Sequence, residues 1–406
     1  MAGGLKARLA RLRDGRDDRH SREPAGSRPR PAFLEGWQEQ APFLFAREVL
    51  RPFGAVPFID AAPFLPRSSR PPRADSPFHM PIETGRLRFF DLETTGLSGG
   101  AGTISFLACV GEPREEGLLL RQFFLSDYPG EKAFVAAVLG CLGPDGVVVS
   151  YNGRAFDLPL LRTRCIMNGL IPPDPLHLDL LHTARRLWRS AHGGASLGLL
   201  EEGVLGLRRG PDVPGSRIPG VWFEFLAAGD HLEMPLVLSH NAFDVEGLAS
   251  LFFAAASAYE DPLGLAAAAG LDRGGLGRSL IALGRFAEGE GLLEAAAKAG
   301  DERSGILLSR RFGRSGRLED RRRIAALLGV TYEGMVERAK FHEHGERDYD
   351  AALRCVKEAR RLSTGETERA ALRVRRERLL RKKTAAEVRG GQAGRAGRKG
   401  SGINNN

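Results

Sequence analysis

The strongest constraint on the fold is a series of short apolar runs that begins as consecutive strands and then alternates with helices. Residues 87–92, 104–110 and 118–125 are apolar runs of strand length, separated by glycine and charged residues, and predict a three-strand meander. Residues 131–142 and 156–169 then have helical spacing, and a short buried strand is predicted between them. This order predicts an α/β fold with a mixed sheet flanked by helices.

The remaining predicted elements complete this half and open a second, helical one. Residues 177–180 predict another short strand, a helix follows through Trp188, and residues 236–259 predict the longest helix of this half. Beyond about Pro262 the chain is rich in Ala, Leu, Arg and Gly at helical spacing. A length of 406 residues is typical of two or three domains, so we expect an all-α domain after the sheet domain.

A weak repeat runs through the second half. The triplets at residues 284–286, 316–318 and 347–349 recur after 32 and 31 residues, and each precedes an apolar helical run. This period is typical of stacked helix pairs such as tetratricopeptide repeats, which predicts helical repeats over residues 262–363. Repeats of this kind can bind a protein partner on a concave face. An irregular helical bundle is the alternative.

The two ends of the chain differ from its body in charge. Residues 1–30 carry a net charge of +5 and residues 373–399 a net charge of +9, while the whole chain carries +9, which leaves −5 for the rest. We predict a disordered basic arm at 1–31 and a basic disordered tail at 364–406, which add salt-sensitive affinity for phosphates or only aid solubility. Residues 32–84 are rich in Pro and Phe and predict an extended arm that wraps the following domain.

Cysteine usage and hydropathy exclude several classes of protein. The four cysteines form no C-x-x-C pair, which excludes a disulfide framework and a cysteine zinc site as organising features and fits a reducing cytoplasm. No apolar run of signal-peptide type is present, and the most apolar long stretch, residues 247–270, is interrupted by Glu260 and Asp261. We expect a soluble, cytoplasmic protein without a membrane partner.

Three segments supply carboxylates to the predicted sheet domain. Asp91 and Glu93 are two apart at the end of a strand, so they point to the same side and repel each other unless a cation lies between them. Asp157 begins the helix after the next strand, at the strand end where α/β sheets place ligands. The ordinary alternatives are a solvated strand face for the pair and a helix N-terminal acid for Asp157.

His240 and Asp244 are four apart on the long predicted helix and share a face, which by itself is typical of a satisfied core pair. The carboxylates Asp91, Glu93, Asp157 and Asp244 at one sheet edge would hold two hard cations, Mg²⁺ or Mn²⁺. Two such ions activate a water and stabilise the leaving oxygen in phosphodiester hydrolysis. His240, one helical turn before Asp244, is then placed to take the proton from the attacking water. The predicted catalytic set is these four metal ligands and His240.

The segments FFDLETTGLSGG, YNGRAFDLPLL and SHNAFDVEGLASL resemble the YprB-type RNase H-like domain of the DEDD superfamily of 3′–5′ exonucleases, over about residues 85–255. The resemblance implies an RNase H-like fold, a two-metal site and nucleic acid, DNA or RNA, as the substrate. It matches Asp91 and Glu93 to the first family motif, Asp157 to the second and Asp244 to the third.

One spacing departs from the family pattern. In members with a histidine it lies five residues before the last Asp, and in members with a tyrosine the spacing is four, whereas His240 precedes Asp244 by four. A shift of one position turns a side chain by about 100° on a helix. We therefore predict, over residues 85–260, a metal-dependent nuclease and 3′–5′ exonuclease. The alternative is a catalytically silent RNase H-like scaffold or nucleic-acid-binding protein whose helical repeats bind a partner.

Further candidates follow the last predicted strand. Asp179 and His182 are placed near the site, and Asp179 is expected to support it rather than to bind the cations. Arg185, Arg186 and Arg189 come next on a helix and either contact phosphates or only solvate that face.

Overall fold

The computed structural model of this chain describes residues 31–66, 78–96, 102–265 and 270–399, with side chains described up to residue 389. Within these residues, seven strands form one sheet in the order β1-β2-β7-β6-β5-β8-β9, and β3 and β4 form a separate two-stranded sheet. The strands are β1 Gln38–Ala41, β2 Leu44–Arg51, β3 Phe58–Asp60, β4 Pro81–Glu83, β5 Leu87–Thr94, β6 Ser105–Arg114, β7 Gly117–Leu125, β8 Val147–Ser150 and β9 Leu176–Asp179.

Strand direction confirms the predicted mixed sheet. β5 pairs antiparallel with β6 and parallel with β8, and β8 pairs parallel with β9. The carboxyl ends of β5, β8 and β9 therefore meet at one edge of the sheet. In open α/β sheets, ligands bind at an edge of this kind.

Helices cover both faces of the sheet and include the predicted ones. In the first half they are α1 Glu131–Leu142, α2 Asp157–Met167, α3 Leu180–Leu187, α4 Arg189–His192, α5 Leu197–Leu205, α6 Ile218–Ala228, α7 Met234–Glu260 and α8 Pro262–Leu265. The long predicted helix is α7, which is 27 residues long. Among the helices in the described ranges, none is both long and apolar enough to cross a membrane.

Side-chain alternation along β5 positions its carboxylates. Phe89 and Phe90 are both fully buried but belong to separate core clusters on opposite faces of the sheet. The Phe89 ring meets the Phe252 ring of α7 edge-on, with centroids 5.5 Å apart. Asp91 and Glu93 continue the Phe89 side of the strand, so they lie on the face that α7 covers.

Residues 32–84 do more than wrap the domain as an extended arm. β1 and β2 lengthen the sheet, and all of β2 pairs with β7, from Leu44 opposite Leu125 to Arg51 opposite Leu118. Without β2, β7 would leave a row of unpaired backbone groups at a sheet edge, which is unfavourable. The high content of Pro and Phe concealed the strand pattern in the sequence.

The second half is all-α, as predicted, and its helices pack in successive pairs. They are α9 Arg273–Ala282, α10 Phe286–Lys298, α11 Glu302–Arg314, α12 Leu318–Leu327, α13 Tyr332–Phe341 and α14 Tyr349–Leu362. The three triplets found in the sequence lie at the turns before α10, α12 and α14. Each turn contains one residue with left-handed backbone, with φ of 82° at Gly284, 71° at Gly316 and 57° at Arg347. The sequence repeat is therefore a structural repeat of three helix pairs.

The predicted disordered tail is wrong for residues 366–399, which form the helix α15 Glu366–Lys399. Leu372 and Leu379 of α15 are buried in a small core with α13 and α14. Glu343, whose side chain is fully buried, accepts hydrogen bonds from three cationic side chains of α15, at 2.8–2.9 Å. The strong basic bias hid this helix because basic residues dominate its composition, while the buried apolar contacts of its described side chains come from Leu372 and Leu379. The predicted arm at 1–31 lies almost entirely outside the described residues.

Candidate acidic site

Asp91 and Glu93 lie at the carboxyl end of β5, where the pairing register with β6 shifts. Asn241 of α7 donates a hydrogen bond from Nδ2 to Asp91 Oδ2 at 2.8 Å. The Asn241 side chain is fully buried, and its Oδ1 accepts from Gln122 Nε2 of β7 at 3.2 Å. This buried amide pair ties α7 to the sheet, so the orientation of Asp91 is set by packing across two elements.

The turn between β8 and α2 positions Asp157. Asn152 adopts left-handed backbone with φ of 67°, which folds the chain back directly after β8. At Gly153, a Cβ atom would lie 2.4 Å from Ser150 Oγ and 2.7 Å from Asp157 Oδ2, so only glycine leaves room for the carboxylate. Asp179 accepts hydrogen bonds from the backbone N–H groups of Asn152 and Arg154 at 2.9 and 3.2 Å.

Asp179 therefore has the supporting position expected from the sequence. It also accepts from the Leu181 N–H at 3.1 Å and so caps α3. With three backbone donors, its oxygens are occupied in holding the turn that leads to Asp157. His182 is exposed on α3.

His240 and Asp244 share one face of α7 and look toward β5. His240 Nε2 lies 3.4 Å from Asp244 Oδ2 and 3.9 Å from Glu93 Oε1. One oxygen or nitrogen atom from each of these three residues lies within 4.8 Å of the other two, a separation that a single metal ion can bridge. The histidine spacing that departs from the family pattern thus still brings the ring to the carboxylates, because His240 lies one turn from Asp244 on a straight helix.

The acidic residues perturb one another's ionisation. Burial raises the pKa of Asp91 well above its usual range, and the charges of Asp244 and Asp157 raise it further. Burial, followed by the charges of Asp91, Asp244 and Asp157, likewise raises the pKa of Glu93. Burial raises the pKa of Asp157 to about 7, with a contribution from Asp179. The carboxylates from three segments therefore form one cluster, in which each additional negative charge is energetically unfavourable.

Sequence reasoning missed two residues of this site, Arg209 and Asp212, in the loop between α5 and α6. Arg209 contacts Asp244 and binds Glu201 with two hydrogen bonds, from Nε at 2.7 Å and from NH2 at 2.8 Å. Asp212 Oδ1 lies 2.7 Å from His240 Nδ1. Burial alone would raise the pKa of Asp212, but this hydrogen bond, the Val213 N–H and the charge of Arg209 together keep the pKa below its usual value. The loop has no periodic pattern, so nothing in the sequence linked it to the acidic residues.

Asp212 determines which nitrogen of His240 is free. A carboxylate only accepts hydrogen bonds, so Nδ1 donates its N–H to Asp212, and Nε2 is the nitrogen that faces Glu93 and Asp244. Carboxylates that hold the distal nitrogen of an imidazole are typical partners of metal-binding histidines. Together with the raised carboxyl pKa values, the set of oxygen and nitrogen donors fits a divalent cation.

The fold and the acidic edge define the class: residues 88–255 form an RNase H-like domain. They match the family model RNase_H_2, which is described as the RNase_H superfamily. The protein YprB of Bacillus subtilis (strain 168) is 40% identical over 169 residues, which are 41% of this chain and 41% of that relative. The matched span is thus less than half of either protein. Within it, the resemblance to the YprB-type domain is confirmed.

Solved structures of exonuclease I show limited overall likeness. A zinc-bound complex of E. coli exonuclease I with single-stranded DNA is 17% identical, covers 39% of this chain and 42% of that chain, and has a TM-score of 0.27. A complex of the E. coli enzyme with a dA16 oligonucleotide is 18% identical, with the same coverage and a TM-score of 0.26.

Proposed function

We propose that the protein hydrolyses phosphodiester bonds of nucleic acid with bound divalent cations and acts as a 3′–5′ exonuclease. The observation that carries this proposal is that ligand atoms of Glu93, His240 and Asp244 lie within 4.8 Å of one another. Asp91 and Asp157 are near enough for their charges to raise the pKa of Glu93. An RNase H-like fold with such a cluster at the carboxyl edge of its parallel strands supports nuclease chemistry. The substrate class, DNA or RNA, stays open.

The proposed metal ligands are Asp91, Glu93, Asp157 and Asp244, and the proposed cations are two Mg²⁺ or Mn²⁺ ions. Oxygen donors of this kind suit hard cations. Bound cations supply Lewis acidity for in-line displacement at phosphorus. The raised pKa values of three of the ligands mean that cation binding and loss of their protons occur together.

His240 is the proposed general base. Asp212 holds Nδ1, so Nε2 is the nitrogen that can accept a proton from a water lying among Glu93, Asp244 and the scissile phosphate. The imidazolium that forms is stabilised by Asp212 on one side and by Asp244 on the other. The same position of Nε2 also allows His240 to bind a cation. An Nε2 atom that binds a cation could not accept the proton.

A second candidate function is a catalytically silent RNase H-like scaffold, and Arg209 is the observation that favours it. Its guanidinium contacts Asp244 and so already supplies positive charge to the carboxylates. In a protein without bound cations, such a permanent ion pair would be enough to hold the acidic cluster together.

The test uses purified full-length protein with single-stranded DNA and RNA labelled at the 5′ end, in Mg²⁺, in Mn²⁺ and in EDTA. The proposal expects a ladder of progressively shorter labelled products with metal, none in EDTA, and a loss of about 100-fold or more in Asp91→Asn. Immediate release of labelled mononucleotide would reverse the proposed direction. Absence of any shortening in both metals would favour the silent scaffold.

The three helix pairs of residues 262–363 are proposed as tetratricopeptide-like repeats that bind a protein partner, and the basic ends as sites of additional nucleic-acid affinity. A cytoplasmic location is proposed from the cysteine usage.

A further inference from the structure

A groove lies beside the acidic cluster, along the same edge of the sheet. It encloses about 580 Å³ and lies between the turn after β8, the helices α3 and α4, and the loop at residues 193–197. Tyr151 and Asn152 form one wall, while Arg185 and Arg189 form another. This volume is in the range of pockets that hold small ligands, about 300–1,000 Å³.

The groove is preformed by contacts between its walls. The Tyr151 hydroxyl donates a hydrogen bond to the backbone oxygen of Ala195 at 2.5 Å, which fixes the loop against the turn. Asp179 holds the Asn152 N–H at 2.9 Å from the opposite side. Left-handed backbone at Asn152 and at Gly193 bends the chain around the cavity, with φ of 67° and 70°. A rigid groove of this kind loses little conformational entropy when a ligand binds.

The charge of the groove is positive and uncompensated. Arg185 and Arg189 are exposed, and neither pairs with a carboxylate of the described residues. Arg186, between them, is different, because it donates to the Pro63 backbone oxygen at 3.1 Å and to Thr183 Oγ1 at 2.7 Å. The sequence left open whether these arginines contact phosphates or solvate a face. The structure separates them into one with an internal structural role and two that face the groove.

The groove and the acidic cluster are joined by one turn of chain. Asn152 lines the groove, Gly153 contacts the Asp157 carboxylate, and both follow β8, the parallel neighbour of β5. Strand spacing places the end of β9, where α3 begins, about 10 Å from the end of β5, a distance that a strand of a few nucleotides can span. A strand whose end lies at the acidic cluster can therefore continue into the groove.

We propose that this groove binds the sugar–phosphate backbone of a single strand of nucleic acid, with Arg185 and Arg189 on its phosphates, and so guides the strand end to the acidic cluster. The inference rests on the proposed function and names the substrate form as single-stranded. The volume of the groove corresponds to a few nucleotides of one strand. Phosphate contacts of this kind set position without reading sequence.

The binding test uses Asp91→Asn protein, which keeps the strand intact, and a fluorescent single-stranded oligonucleotide followed by anisotropy. Arg185→Gln/Arg189→Gln is expected to weaken binding about tenfold or more and to reduce the slope of log Kd against log salt by about 1.4, since each lost single-strand phosphate contact removes about 0.7. The matched control is Arg303→Gln/Arg314→Gln on α11, which also removes two exposed cations that pair with no carboxylate of the described residues. Equal losses in both double variants would mean non-specific attraction and would overturn the proposal.

A second measurement separates the groove from the chemistry. In otherwise wild-type protein, the p-nitrophenyl ester of thymidine 5′-monophosphate reaches only the acidic cluster. The groove variant should hydrolyse this ester within about twofold of wild type while its shortening of oligonucleotides falls about tenfold. An equal fall for both substrates would place the arginines in the chemistry and overturn the groove. If the wild-type protein hydrolyses neither substrate, the proposed function fails, and the anisotropy result alone decides whether the groove binds a strand.

Discussion

Arg209 lies between two carboxylates that would otherwise be buried side by side, Glu201 and Asp244. Glu201 is almost fully buried beneath α7, where a Cβ atom at Gly247 would lie 1.8 Å from its Oε1. Burial raises the pKa of Glu201, and the Arg209 hydrogen bonds oppose that rise. A single arginine thus favours the charged form of a buried acid beside a second acidic cluster.

We expect Arg209→Gln to lower the free energy of unfolding by about 3 kcal/mol, because it leaves buried charge without a partner. Arg209→Gln/Glu201→Gln should recover part of this loss, since the second change removes the orphaned charge. Urea denaturation measures both variants. The control is Arg208→Gln, whose side chain is largely exposed beside Glu202 and should change stability by less than about 0.5 kcal/mol. A loss for Arg209→Gln no larger than this control would contradict the role assigned to Arg209.

The crowding of carboxylates predicts how cations affect stability. In EDTA, Asp91→Asn should be more stable than wild type, because it removes one buried charge whose pKa is raised by burial and by Asp244 and Asp157. Adding Mg²⁺ or Mn²⁺ should raise the Tm of wild type and raise that of Asp91→Asn less. Exposed Asp145→Asn serves as the control and should respond like wild type. Equal metal responses in all three proteins would exclude the cluster as the cation site.

His177 predicts a pH dependence that is independent of cations. Burial lowers its pKa to about 4, and its Nε2 lies 2.8 Å from Ser150 Oγ. The unfolded chain takes up this proton near pH 6.5 and the folded protein only near pH 4, so stability is lost as the pH falls through that window, by up to about 3 kcal/mol. His177→Gln should lose less stability between pH 7 and 4.5, measured by urea denaturation at each pH. Parallel curves for the two proteins would show that His177 is not responsible.

At the scale of elements, the helical half repeats one turn geometry with two kinds of residue. Gly284 and Gly316 adopt left-handed backbone at low cost, whereas Arg347 adopts it at the equivalent turn with a Cβ atom. Arg347 follows a π-helical segment, His342–Glu346, and its neighbour Asp348 caps α14 through the Ala351 N–H at 2.8 Å. The third pair therefore enters the turn by a different route.

Gly316→Ala should lower stability by about 1 kcal/mol, because a Cβ atom there meets open space and only the left-handed backbone opposes it. Arg347→Ala should be nearly neutral, since arginine already carries that backbone cost. Urea denaturation combined with hydrogen exchange of the helical amides measures both. Equal effects of the two changes would show that left-handed backbone is not what opposes a Cβ atom at Gly316.

At the scale of the whole molecule, α15 completes the helical half rather than extending from it. It buries Leu372 and Leu379 and supplies the cations around Glu343. Three cationic side chains of this helix thus stabilise the fold by binding Glu343. Its outward-facing cations are available for contacts with other molecules.

A chain that lacks residues 390–406 should keep the stability of the full chain, whereas one that lacks residues 364–406 should unfold its helical half at a lower temperature. The second truncation removes the buried Leu372 and Leu379 and the three cations around Glu343, and the two leucines alone contribute about 3–6 kcal/mol. Calorimetry of the truncated proteins measures the difference. Similar melting of the two truncations would show that α15 contributes nothing to the helical core.

Much of the fold was predictable because it depends on local patterns. The bounds predicted for α1 agree with the structure, and those predicted for α7 differ by one or two residues at its ends, because apolar periodicity reports which residues are buried. β1 and β2 were not predicted as strands because their strand conformation depends on pairing, of β2 with β7 and of β1 with β2. The candidate site was predictable where motifs placed acids at a strand end and a helix start, and unpredictable in the loop that supplies Arg209 and Asp212.

The sequence by itself determined the mixed sheet around β5, the long helix α7 and the five residues, Asp91, Glu93, Asp157, His240 and Asp244, that are proposed to act. Only the tertiary structure decided which of them lie close enough for one metal ion to bridge them and which nitrogen of His240 faces the carboxylates. It also decided that Arg209 binds both Asp244 and Glu201. The physical reason is that periodicity encodes which face of an element is buried. Contacts between side chains distant along the chain depend on how those faces pack together.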